Sequence, residues 1–201
     1  MTAPVPWLAA FAAQRGLRYE PEADERWLRA WEPFATVRVP IRYEHALHAT
    51  GSVGSVSVAR AVFDLPSRGA APTPSPRPSE VGCWLVIAQD ERLDGRAAVT
   101  SDTGGVFGDA LDLVPLPRLP SGDPAFDHVF ASFAEDAAAL QRAITPSLRK
   151  LLLGWRIPVH AELRPGGFVL APVSVAADPT GLSWLLDAVG LFGAKAQKRA
   201  T

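Results

Sequence analysis

The chain has 201 residues, enough for one sizeable core, and 48% of them are hydrophobic, including six Trp and nine Phe, which excludes a disordered chain. Its 20 Lys and Arg nearly balance its 21 Asp and Glu, so composition gives no basis for a nucleic-acid partner held by phosphate neutralisation. A single cysteine, Cys83, excludes an intrachain disulfide and a zinc site built on thiolates, in keeping with a reducing compartment.

In chain order, PVPWLAAFAAQRG reads as a helix. Trp7, Leu8, Phe11 and Ala12 share one stripe, and Gly16 suits a left-handed cap. The same start lacks the basic region of a signal peptide, and no run of 18 apolar residues occurs. A bacterial cytoplasmic protein with no membrane span is therefore the expectation. ADERWLRAW reads as a second helix with Trp27, Leu28 and Trp31 on one side. The next stretch alternates and is rich in Val, Ile and Tyr, giving a hairpin of 41–50 and 55–64 around Gly51 and Gly54.

Residues 66–80 hold five prolines and little that is large, which predicts a flexible loop projecting into solvent. VGCWLVIAQ follows as a strand whose unbroken apolar run implies cover on both faces. RAAVTS reads as a further strand, 108–124 as loop, and AFDHVFASFA as a strand by composition. EDAAALQRAI reads as a helix. Thr145 and Pro146 then occupy the cap and first position of a helix over TPSLRKLLLGW.

RIPVHAELRPGGFVLAP gives a hairpin turning at Pro165, Gly166 and Gly167. PTGLSWLLDAVGLFG gives a last helix that buries Leu182, Leu185, Leu186 and Val189, with 194–201 as a frayed tail. RVPIRYE and RIPVHAE share Arg, Pro and Glu at matched places. Convergent strand chemistry accounts for this echo, and a duplicated helix–hairpin unit is the alternative.

Together these elements predict one α+β domain over 1–201. Its sheet is mainly antiparallel with five to seven strands, the terminal helices pack on one face, and a long Pro-rich loop leaves the body.

Alternation places Pro158, His160 and Glu162 on one face of their strand, read as solvated. Pro158 cannot donate to a ladder and so implies an edge. His45 and His48 fall on opposite faces unless a bulge reunites them. His160 with Glu162, and Asp123 with Asp127 and His128, are carboxylate–imidazole pairings that a metal or a proton transfer could use, and an alternative reading is a metal-dependent enzyme or binder built on the dispersed residues Asp127, His128 and His160. Asp102, Asp109 and Asp112 lack the spacing of a calcium loop, and Cys83 lies in the most apolar strand, a setting for inert packing.

Neither GSVGSV nor TGGVFG carries a nucleotide-binding fingerprint, and no nucleophile elbow or His-Glu-x-x-His helix occurs. The reading is a non-catalytic module, without a cofactor, that binds a protein partner or self-associates. Trp27 and Trp31 are its aromatic anchors, and the strand with Pro158, His160 and Glu162 is its docking edge. Peripheral membrane attachment through the first helix and Lys195, Lys198 and Arg199 is a third reading.

The segment from Asp123 to Pro172 resembles a domain carried by bacterial proteins of unknown function, often with membrane anchors. Asp123, Pro124, Phe126, Phe130, Ile144, Thr145, Pro146, Leu148 and Leu152 match its turn, core and cap positions. The resemblance implies a strand, helices and a terminal hairpin in that order, and no catalytic residues.

Overall fold

The computed structural model describes residues 4–23, 40–51, 54–65, 79–101 and 116–197. Nine strands form one sheet: β1 (Arg18–Glu20), β2 (Arg42–Gly51), β3 (Gly54–Leu65), β4 (Ser79–Asp90), β5 (Ala97–Thr100), β6 (Arg118–Leu119), β7 (Ala131–Ala134), β8 (Val159–Arg164) and β9 (Gly167–Pro172). Their spatial order is β1-β2-β3-β4-β9-β8-β5-β7-β6, and every pairing is antiparallel. The α+β class and the antiparallel sheet agree with the sequence, although nine strands exceed the five to seven expected. The excess comes from short pieces, β1 and β6, whose three and two residues are too brief for alternation to register.

Five helices lie among the described residues: α1 (Pro6–Arg15), α2 (Pro124–Val129), α3 (Ala137–Ala143), α4 (Pro146–Trp155) and α5 (Pro179–Ala196). Local chemistry sets their ends. Gly16, at φ 66°, closes α1 in the left-handed region that costs glycine least. Thr145 accepts a hydrogen bond from the Leu148 amide, and Asp178 accepts one from that of Gly181, each satisfying a donor that the helix itself leaves open.

Residues 124–129 are helical where strand composition pointed the other way. Asp123 accepts hydrogen bonds from the amides of Ala125 and Phe126, and Pro124 fixes the first helical φ. This capped start outweighs the preference of Phe and Val for strands, which takes over only at Ala131. At the other end α5 continues to Ala196, so 194–196 belong to the helix and not to a frayed tail.

One core joins the layers. Leu8 and Phe11 of α1, Leu148 and Leu152 of α4, and Leu182, Leu185 and Phe192 of α5 pack with Trp84, Val86, Ala161 and Leu170 of the sheet. α1 and α5 touch each other, so the first and last helices share this face, as expected. The alternate residues Leu85, Ile87, Val169 and Ala171 point away from these helices and are also buried. The unbroken apolar run of β4 thus reflects burial on both faces.

The hairpin of β8 and β9 lies in the middle of the sheet, between β4 and β5. Pro158 therefore does not mark an edge. It precedes the first ladder residue, Val159, so its missing donor interrupts nothing, while its carbonyl accepts from the Val173 amide. The second predicted helix, with Trp27 and Trp31, lies outside the described residues, as does 66–78 of the Pro-rich loop.

Candidate functional site

His160 and Glu162 share one face of β8 as alternation requires, but that face is not solvated: they are 0% and 3% exposed. His160 is paired in register with Thr100 of β5 and Ala171 of β9, deep in the sheet. Burial pushes its pKa down to about 4, because the imidazolium would lose its hydration there. The two side chains cannot serve as a docking edge.

Asp127 spends its carboxylate on the Ser121 amide, at 2.8 Å. Nearby, the buried Arg149 guanidinium donates to the carbonyl of Ile144 and to the side chain of Gln141, at 3.1 and 3.2 Å, and lies 3.9 Å from Asp123. This knot ties α2, α3 and α4 together, and His128 stands exposed beside it. Among the described residues no three His, Cys, Asp or Glu side chains gather as a metal site, so Asp127, His128 and His160 do not form one.

A bulge does occur in β2 between Glu44 and Leu47, with His45 at φ 52°. It leaves the two imidazoles apart. His45 Nδ1 meets the Tyr19 hydroxyl at 3.0 Å, whereas His48 reaches Ser57 at 2.9 Å and Glu20 at 3.3 Å. Cys83 is buried.

The feature that stands out is a groove beneath the second half of α5, enclosing about 490 Å³. Its floor is one row across four strands, Ala49 on β2, Val56 on β3, Ala88 on β4 and Phe168 on β9, paired in register. Its roof runs from Leu186 through Gly190 and Gly193 to Gln197, and Leu17 after α1 closes one side. Beside it the same interface is filled by Phe168 against Phe192, with ring centroids 4.7 Å apart. The gap opens at Gly190, where an added Cβ would meet nothing within 4 Å, above the small residues Ala49 and Ala88 of the sheet.

The rim is polar. Asp90 accepts from the Arg92 amide and guanidinium and from Gln197, the last at 3.0 Å, and these bonds hold its pKa below the usual carboxylate value. Arg15 at the end of α1 donates to Ser183 on α5, and its guanidinium lies 5.6 Å from the Phe11 ring centroid. A second cleft, of about 450 Å³ and lined by Arg96, Arg142, Arg164, Asp94, Glu135 and Glu162, is a balanced set of three cations and three carboxylates.

The groove is not legible in the sequence because its lining comes from segments far apart in the chain, with Ala49, Ala88, Gly190 and Gly193 among them. The available signal was Gly190 and Gly193, three apart inside an apolar helix where glycine is a poor choice.

No family model matches the chain, and no curated protein matches it. Among solved structures it is similar to the mycobacterial trehalose monomycolate transport factor A, TtfA, with a TM-score of 0.58 and 10% identity. The likeness spans 94% of this chain and 92% of that one, and at this identity it shows a shared fold.

Proposed function

We propose that this chain is a non-catalytic accessory factor of a lipid-transport assembly, acting by binding a protein component of that assembly. The supporting observation is its likeness to TtfA along nearly the whole of both chains, not over one shared motif. Neither His160 nor Asp127 is placed for chemistry on an outside substrate, since one is sealed in the sheet and the other caps a backbone amide. No helix among the described residues is long and apolar enough to cross a membrane.

Three large apolar side chains among the described residues stand out in solvent, Ile41, Val129 and Leu191, and they supply probes for a contact surface. A photo-crosslinking amino acid at each position, in the native cell, tests the reading. At least one position should cross-link to an integral membrane protein that exports lipid, and deleting the gene should leave that lipid inside the cell. Adducts only to soluble metabolic enzymes, with lipid export intact after deletion, would refute it.

A further inference from the structure

We propose that the groove under α5 binds the alkyl chain of a single-chain anionic amphiphile, with the anionic head at Arg15. Its volume of about 490 Å³ lies within the ordinary range of small-ligand sites, roughly 300–1,000 Å³. The walls that a chain would touch are Leu17, Val56, Phe168, Leu186 and Val189, all aliphatic or aromatic. Covering them removes apolar surface from water, which is the driving force such a ligand brings.

The glycines carry the argument further. Glycine is the least favourable helix residue after proline, and neither Gly190 nor Gly193 has the positive φ that would demand it. A Cβ on Gly190 would meet nothing within 4 Å, and one on Gly193 would make ordinary contact, at 3.5 Å, with the Phe168 ring. Packing within the chain therefore does not require either glycine. The bare backbone at Gly190 keeps the roof open for something that approaches closely.

Charge selects the head group. Of the two guanidinium groups on the rim, that of Arg92 is committed to Asp90, while Arg15 meets a hydroxyl and an aromatic ring but no carboxylate among the described residues. A fatty carboxylate or a lysophospholipid phosphate would supply an anion there, and a charge-assisted bond to Arg15 would fix the chain's direction.

The experiment is isothermal titration of the full chain with palmitate and with the uncharged hexadecanol. Wild type should bind one palmitate. Gly190→Leu, which fills the open space, should weaken binding by about tenfold or more while the thermal midpoint stays level or rises. Arg15→Gln should weaken palmitate about tenfold and leave hexadecanol unchanged.

No saturable palmitate binding by wild type, or equal affinity in Gly190→Leu, overturns the proposal. So does a result in which Gly190→Leu abolishes the membrane-protein cross-link and palmitate never binds, because the groove then belongs to a protein. Palmitate binding with no membrane-protein cross-link would uphold this inference while the accessory-factor reading fails.

Discussion

At residue scale His160 has a measurable signature. With its pKa pushed from 6.5 to about 4 by burial, it is neutral in the folded chain throughout the physiological range. Once unfolded it takes a proton near pH 6.5. Below that pH the unfolded state therefore binds a proton that the folded state refuses, and stability falls as the pH drops towards 4. The loss amounts to about 3 kcal/mol over that window, with no contribution from this group above it. Urea unfolding at pH 7.5 and pH 4.5 should show this fall in wild type and a smaller one in His160→Gln. His45, whose pKa burial also lowers, would act alike in both proteins. An identical fall in both would show that His160 is not the titrating group. The sequence made His160 legible only halfway. Alternation assigned its face correctly, but whether a face meets solvent depends on what distant segments lay over it. Nothing within a few residues of Glu162 reports that cover.

At the scale of elements the readable signals were caps and turns, because their chemistry acts within four residues. Thr145 with Pro146, Gly16 after α1, and Gly166 at φ 88° in the last hairpin all do what their types require. Misreadings arose where two local preferences competed, as in 124–129, where a capped start overcame strand-forming side chains. Two substitutions should separate capping from site economy. Thr145→Ala removes the side-chain acceptor for the Leu148 amide and should cost about 1 kcal/mol. Gly190→Ala adds a methyl in open space at a helical position and should stabilise by up to about 1 kcal/mol. Opposite shifts of the thermal midpoint are the expected outcome. A drop in Gly190→Ala would mean that the roof glycine serves packing, and the groove would lose its main argument.

At the scale of the whole molecule the decisive fact is where the last hairpin goes. β1 to β4 form a meander in chain order, and β5, β7 and β6 form a second group, but no described ladder joins β4 to β5 directly. β8 and β9, made from residues 159–172, bridge them: Val86 pairs with Leu170 on one side and Val99 with Ala161 on the other. Each half of the sheet thus ends in an open ladder until the C-terminal hairpin enters, and the buried residues Val86, Val99, Ala161 and Leu170 belong to a single core cluster. Local patterning reveals a hairpin but not its insertion between strands more than 50 positions earlier, since register over such separations is set by packing alone. The arrangement predicts that neither half folds before the hairpin closes the sheet. Guanidinium unfolding should give one transition, coincident by tryptophan fluorescence and far-ultraviolet circular dichroism. A chain ending at residue 156 should lose the cooperative transition altogether, even though it keeps the five segments of the meander and first helix intact in sequence. Cooperative unfolding of that truncated chain would show that the meander stands on its own, and the hairpin would then be an addition to a finished fold and not the piece that completes it.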